Sequence, residues 1–179
     1  MSPDAPRSDQ ETAAHLARVL AEEHYGAGPL AELRRLDPAG SLVGPALQRL
    51  LVRYVESSDP ARLRLWALFI HCIALLTPQQ GEAQTLGCSL FDAGYKEGRM
   101  SRLLATRADE MAVAVPRMVR FLSAKGGTVR PGSLWDFLDA TMTPATSARR
   151  ADDARTRLAR DYYQAEDRFL RPAPKGAAA

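Results

Sequence analysis

The hydrophobic residues of this chain recur at spacings of three and four along most of its length, which is the period of an amphipathic helix. In the segment 45–55 the apolar positions fall at i, i+3, i+4, i+7 and i+8, which are Leu47, Leu50, Leu51, Tyr54 and Val55. No strand-like alternation, β-hairpin signal or internal repeat stands out. The pattern predicts an all-α protein, folded as a compact single-domain helical bundle of about seven to nine helices.

Capping residues and helix breakers divide the chain into predicted helical segments. Ser8 and Glu11 form a capping-box pattern at the start of the first segment, and Gly26 ends it. Pro116 lies inside a later segment and is predicted to kink that helix or to divide it into two shorter ones. The other segments cover residues 28–36, 45–55, a stretch that begins near residue 60, 85–95, 100–105, 109–125 and 147–169.

The segment that begins near Pro60 is apolar on almost every side between Leu65 and Ile73, which is typical of a helix surrounded by other helices. Its strongly apolar stretch, residues 65–76, has 12 residues, whereas a membrane-spanning helix needs roughly 20. We therefore expect this helix at the centre of the bundle and expect no membrane partner. We also expect four large aromatic residues to be part of the core and not to stack on bases: Trp66, Phe121, Trp135 and Phe137.

The length and cysteine content of the chain indicate how many domains it has and whether it contains disulfides. Its 179 residues, 46% of them hydrophobic, suffice for one domain with its own core. Cys72 and Cys88 do not suggest a disulfide framework, and the N-terminus lacks the pattern of a signal peptide, so we expect a cytoplasmic protein. We expect a flexible N-terminal tail at 1–8, a helical domain at 9–169 and a disordered C-terminal tail at 170–179.

Positive charge is concentrated in the second half of the chain. The formal net charge is +3, but residues 1–98 carry −3 and residues 99–179 carry +6. Arginine supplies 21 of the 24 basic residues, and its planar guanidinium is suited to bidentate contact with phosphate. A genome that favours arginine codons would also explain this composition, so composition alone does not indicate a nucleic-acid ligand.

Residue patterns for catalysis and metal binding are missing from the sequence. His15, His24 and His71 are scattered and do not stand at metal-ligand spacings from cysteine or other histidines. No phosphate-binding loop, dinucleotide-binding glycine motif or nucleophile elbow occurs. We therefore expect no enzyme activity, no cofactor, no metal and no small-molecule substrate, and we interpret His71 as a buried, hydrogen-bonded core residue.

Paired arginines are the chemical feature that remains. Arg99 and Arg102 form an i,i+3 pair, Arg117 and Arg120 form another, and Arg107 lies between the two segments. Residues three apart project together from a helix, and such clusters contact phosphates without reading sequence. The alternative is a solvated helix face whose arginines make intramolecular ion pairs.

Several short motifs, taken in order, resemble the CasB small subunit of the type I-E CRISPR surveillance complex, Cascade. The resemblance covers roughly residues 12–165 and depends on the order and spacing of the motifs. They are the residues 28–35, the apolar helix that contains Trp66, and the residues 86–90, 99–104, 116–122 and 158–163.

This resemblance implies an all-α, non-catalytic protein that is present as two copies in the complex. Its implied partners are the guide crRNA, the target DNA, the large and backbone-forming Cascade subunits, and a second copy of itself. The implied function is to stabilise guide RNA, target DNA and the displaced strand of the R-loop through backbone contacts.

The basic surface of the family carries over to nine arginines of this chain, with the last two as the weakest assignments: Arg35, Arg62, Arg99, Arg102, Arg107, Arg117, Arg120, Arg149 and Arg150. Two alternatives to the Cascade function remain open at this stage. One is a helical protein–protein adaptor unrelated to nucleic acid, and the other is a small helical hydrolase.

Overall fold

All the regular secondary structure in the described part of the chain is helical, apart from one isolated bridge residue at Val129. The computed structural model describes residues 8–77, 84–143 and 148–171. Within these ranges it contains nine α-helices and two short 3-10 helices, at Glu23–Tyr25 and Ala108–Glu110. The α-helices are α1 (Asp9–Ala21), α2 (Ala27–Arg35), α3 (Pro45–Tyr54), α4 (Pro60–Leu76), α5 (Leu86–Asp92), α6 (Glu97–Ala105), α7 (Met111–Ala124), α8 (Pro131–Met142) and α9 (Ala148–Leu170).

The all-α prediction is confirmed, and most predicted segments correspond to a helix within a few residues. Ser8 and Glu11 make the reciprocal hydrogen bonds of the predicted capping box. The prediction that Pro116 could divide its segment in two is wrong, because α7 runs without interruption from Met111 to Ala124. Helix α8 was not among the predicted helices. The two predicted tails lie largely outside the described residues, although α9 continues to Leu170.

Helix α4 is the centre of the bundle, as its apolar sequence predicted. Every residue from Leu65 to Ala74 is buried, and helices α1, α2, α3, α7 and α8 all pack against α4. None of the helices in the described part of the chain combines the length and hydrophobicity that crossing a bilayer requires. The apolar stretch therefore serves as the internal core of the fold.

Stacked aromatic rings join α4 to α8. The rings of Trp66 and Trp135 stack with centroids 3.6 Å apart, and Phe69 meets both edge-on. Trp66, Trp135 and Phe137 are buried, as predicted, whereas Phe121 is only partly buried. Aromatic pairs contribute stability beyond the area that they bury, so this cluster fixes how α8 lies on the central helix.

A carboxylate at the edge of this aromatic cluster connects four helices. Asp139 of α8 accepts hydrogen bonds from Arg62 of α4, from Arg150 of α9 at 2.7 Å, and from Thr143 at 2.9 Å. Arg62 also pairs with Asp9 of α1, and its guanidinium carbon lies 4.9 Å from the centroid of the Trp135 ring.

Asp139 is ionised in this environment. Burial alone would raise the pKa of its carboxyl, but the hydrogen bonds from Arg62 and Thr143 and the charges of Arg62 and Arg150 outweigh burial. The pKa therefore lies below its ordinary value. Removing one charge from such a buried group leaves its partner without full compensation, which lowers the stability of the fold.

Helix α9 packs so closely against α5 at Gly87 that a side chain at this position would clash with α9. A Cβ atom added at Gly87 would stand 2.5 Å from the carbonyl oxygen of Leu158 and 2.6 Å from the Cβ of Asp161. The N-terminus of α5 is held by a different helix, because the Oγ of Ser133 in α8 accepts a hydrogen bond from the Leu86 amide at 2.9 Å. Helices α5, α8 and α9 therefore form one tightly packed corner of the bundle.

Replacing Gly87 with alanine is expected to lower the free energy of unfolding by about 1–3 kcal/mol, because backbone atoms of α9 must move to accommodate the new methyl group. Urea unfolding followed by circular dichroism measures the change. Gly98→Ala is the matched control, since a Cβ at Gly98 of α6 meets no atom within 4 Å. Equal stability of the two variants would contradict the close contact between α5 and α9.

Replacing Asp139 with asparagine is expected to lower the free energy of unfolding by about 2–4 kcal/mol at neutral pH, because Arg150 and the partly buried Arg62 both lose a charged partner and Arg62 keeps only the more exposed Asp9. Asp136→Asn in the same helix is the control, since among the described residues Asp136 bonds the exposed, uncharged side chain of Gln10 and has no ion pair. Because the folded-state pKa of Asp139 is depressed, its contribution is complete above the unfolded carboxyl pKa of about 3.9 and is lost as the pH falls below that value. An unchanged difference between Asp139→Asn and wild type at acid pH would contradict this assignment.

Candidate nucleic-acid interface

The two predicted arginine pairs lie on neighbouring helices, α6 and α7. Helix α6 buries Met100 and Leu103, which leaves Arg99 and Arg102 on its exposed side. Helix α7 buries five apolar residues and Pro116. The i,i+3 pair of α7, Arg117 and Arg120, is exposed on the opposite side of that helix. The helical periodicity that forms the core thus also places both pairs at the surface.

An aromatic contact links the two arginine pairs. The rings of Tyr95 and Phe121 meet edge-on with centroids 5.2 Å apart, and the guanidinium carbon of Arg99 lies 5.1 Å from the centroid of the Phe121 ring. Phe121 directly follows Arg120 in α7. The Arg99–Phe121 contact therefore places α6 against α7 at this point. We call the four exposed arginines of these two helices, Arg99, Arg102, Arg117 and Arg120, the α6–α7 arginine surface.

The positive charges of the α6 pair influence the pKa of Tyr95, whose ring contacts Phe121. Burial raises the pKa of the Tyr95 phenol, and the positive charges of Arg99 and Arg102 partly offset that rise. Both guanidinium groups are therefore close enough to Tyr95 to influence its ionisation. Lys96, the N-cap residue of α6, and Lys125, at the end of α7, are exposed cations near this position that the sequence prediction did not include.

The α6–α7 arginine surface makes no ion pair with any carboxylate in the described ranges 8–77, 84–143 and 148–171. Arg102 donates to the Gly98 carbonyl at 3.1 Å, and Arg120 contacts the imidazole of His71 at 3.4 Å. These contacts orient the side chains but do not neutralise their charge.

Arg35 and Arg107 lie at the surface outside these two pairs. Arg35 is the last residue of α2 and is exposed, while its neighbour Arg34 caps the C-terminus of α4 by donating to the carbonyls of Ala74 and Thr77. Arg107 is 81% exposed and makes a loose ion pair with Asp109, in which the nitrogen and oxygen are 3.6 Å apart. Such an exposed pair is worth little, so Arg107 remains able to exchange Asp109 for a phosphate.

The remaining predicted site residues occupy a different part of the molecule. Arg62 and Arg150 both bond Asp139, and the side chain of Arg62 is only 21% exposed. Arg149 lies exposed in the first turn of α9. A positive charge is unfavourable at a helix N-terminus, where the partial charge of the helix dipole is also positive.

Sequence reasoning missed the carboxylate that engages Arg62 and Arg150. A partial signal was present in the sequence, because Asp136 and Asp139 both stand among the apolar residues of the segment 134–140. An acidic residue inside an apolar helix needs a cationic partner when that helix is buried. The sequence does not indicate which of the 21 arginines that partner would be.

The other candidate chemical groups of the sequence were the histidines and cysteines. Among the described residues, no group of three or more His, Cys, Asp or Glu residues is arranged to hold a metal ion. Burial raises the pKa of the Cys72 thiol far above its ordinary value, which makes that thiol unreactive. His71 is fully buried and hydrogen-bonded, as predicted.

Comparison with known proteins identifies the family. A family model described as CRISPR-associated protein Cse2 matches residues 29–163, which is most of the chain and includes every predicted site arginine. Neither the curated proteins nor the solved structures gave a significant match. The matched range also contains the whole α6–α7 arginine surface. The chain therefore belongs to the Cse2 family, the CasB-type small subunits of the type I-E Cascade complex of CRISPR defence.

Proposed function

We propose that this Cascade subunit stabilises guide RNA, target DNA and the displaced strand of the R-loop by gripping their phosphate backbones. The observation that carries the proposal is the α6–α7 arginine surface, whose two exposed arginine pairs have no carboxylate partner among the described residues and whose helices meet where Arg99 contacts the Phe121 ring. Arginine contacts of this kind position a nucleic acid without reading its bases. In an RNA-guided complex that is sufficient, because base pairing with the guide supplies sequence recognition.

The contribution of the other predicted arginines follows from how each is bonded. Arg35 and Arg107 can extend the contact, since the first is exposed and the second has only a weak surface ion pair. Arg149 can contact a strand near α9. For Arg62 and Arg150 we propose an indirect part, because both already bond the buried Asp139. Their contact with nucleic acid remains a prediction.

Membership of the family supports association with other Cascade components. We further propose that two copies are present in each complex, packed against each other, the large subunit and the backbone-forming subunits. Stabilising the open R-loop would favour the state that recruits the helicase-nuclease. No catalytic step is assigned to this chain.

Replacing both Arg117 and Arg120 with alanine is expected to weaken binding of the full chain to single-stranded DNA or RNA about three- to thirtyfold, through loss of two phosphate contacts. The slope of log K against log salt should fall by about 1.4, and the loss should be similar for different base sequences. Fluorescence anisotropy at several salt concentrations measures both quantities.

The matched control for this experiment is the double substitution of Arg157 and Arg160, an exposed i,i+3 pair on α9 that removes the same charge. That variant should bind close to wild type. Equal losses in the two variants would mean that general charge is responsible, and a loss confined to one base sequence would contradict backbone contact.

Co-expression of the tagged chain with its own operon is expected to recover a complex that contains guide RNA and the other Cascade subunits. Native mass spectrometry should then give two copies of this chain per guide. Recovery of the complex with one copy would contradict the proposed pairing. Recovery of the chain as a free monomer without RNA would contradict the proposed backbone contact and favour a protein–protein adaptor.

A further inference from the structure

A buried histidine of the central helix contacts one arginine of the α6–α7 arginine surface. His71 belongs to α4 and has no exposed surface, so no ligand can reach it directly. Its Nδ1 lies 2.8 Å from the carbonyl oxygen of Leu33 in α2, and its Nε2 lies 3.4 Å from a terminal guanidinium nitrogen of Arg120 in α7. The imidazole ring therefore connects three helices, and one of its two contacts is with an exposed arginine.

The two contacts fix which nitrogen carries the proton. A carbonyl oxygen only accepts hydrogen bonds, so Nδ1 must donate to Leu33. In a neutral imidazole Nε2 then has a free lone pair and accepts a hydrogen bond from Arg120, whose guanidinium only donates. The geometry therefore selects the neutral, Nδ1-protonated tautomer.

The surroundings of the ring keep it neutral. Burial lowers the pKa of His71 most, the hydrogen bond to Leu33 and the charge of Asp37 act to raise it, and the charge of Arg120 lowers it. The net shift is downward. A second proton on Nε2 would face the guanidinium of Arg120 directly and would remove the acceptor that this arginine uses.

We infer that His71 is a positioning residue: it holds the guanidinium of Arg120 in place on the α6–α7 arginine surface before nucleic acid binds. This inference deepens the proposed function and depends on it. An exposed arginine on a helix loses rotamer freedom when it binds phosphate, and a hydrogen bond made in advance reduces that loss. The remaining donors of Arg120 stay available to an incoming phosphate.

The test is a double-mutant cycle on the full chain, with a fluorescein-labelled oligo(dT) strand as the probe. His71→Leu removes the acceptor, and His71→Gln places an amide oxygen close to the position of Nε2. Each substitution is made in the wild-type chain and in Arg120→Ala. We expect His71→Leu to raise the Kd about three- to tenfold when Arg120 is present and to have no effect in Arg120→Ala. His71→Gln should recover most of the affinity.

The cycle separates failure of this inference from failure of the proposed function. If Arg120→Ala leaves binding unchanged, Arg120 does not contact nucleic acid. That result would refute both the positioning role of His71 and the proposed contact of Arg120 with phosphate. If Arg120→Ala weakens binding but His71→Leu has no effect, or an equal effect in both backgrounds, only the positioning role is overturned. Equal effects would show that His71 matters for the fold alone.

A measurement on the folded wild-type chain covers the case in which His71→Leu does not fold. Nitrogen-15 NMR of the imidazole at neutral pH should show a protonated Nδ1 and an unprotonated Nε2, and the Nε2 resonance should shift in Arg120→Ala. A charged ring, a proton on Nε2, or an Nε2 resonance indifferent to Arg120→Ala would overturn the inference.

Discussion

The fold depends on one helix that must be buried on every side. Helix α4 has no polar stripe between Leu65 and Ala74, so water must be excluded from its whole circumference. Helices α1, α2, α3, α7 and α8 provide that cover, and the stacked rings of Trp66 and Trp135 fix α8 against it. The arginines of the covering helices, such as Arg117 and Arg120 of α7, therefore lie on the outer faces of those helices.

Burying α4 also leaves polar groups near it that need hydrogen-bond or charge partners, and arginine side chains supply some of them. Arg34 satisfies the free carbonyls at the C-terminus of α4, and Arg62 compensates the charge of Asp139 beside the aromatic cluster. In the same helix, His71 uses one ring nitrogen for the Leu33 carbonyl and the other for Arg120. The arginines of this chain therefore fall into two groups, one that stabilises the interior and one that faces solvent.

This division bears on the phosphate contact that we propose for this chain. The α6–α7 arginine surface is attached to the core through the buried Met100 and Leu103 and through the apolar face of α7, and two of its cations contact neutral groups, Arg99 the Phe121 ring and Arg120 the His71 imidazole. Neutral partners orient a guanidinium without cancelling its charge, whereas a carboxylate partner would compete with phosphate. A cationic surface of this kind fits the proposed backbone contact, in which base pairing with the guide supplies sequence recognition.

Local sequence patterns were enough to predict the helical class, the central position of α4 and the exposure of the two i,i+3 arginine pairs. Each of these follows from helical periodicity, which relates residues only a few positions apart. Helix α8 was not predicted, although Leu134, Trp135 and Leu138 stand at helical spacing. Of the kink or break predicted at Pro116, the break is excluded because α7 is continuous. The pairing of particular arginines with a carboxylate could not be predicted in this way. Arg62 and Asp139 are 77 residues apart, and His71 and Arg120 are 49 apart. No local pattern encodes such contacts, because they form only when helices distant in sequence bury their apolar faces together.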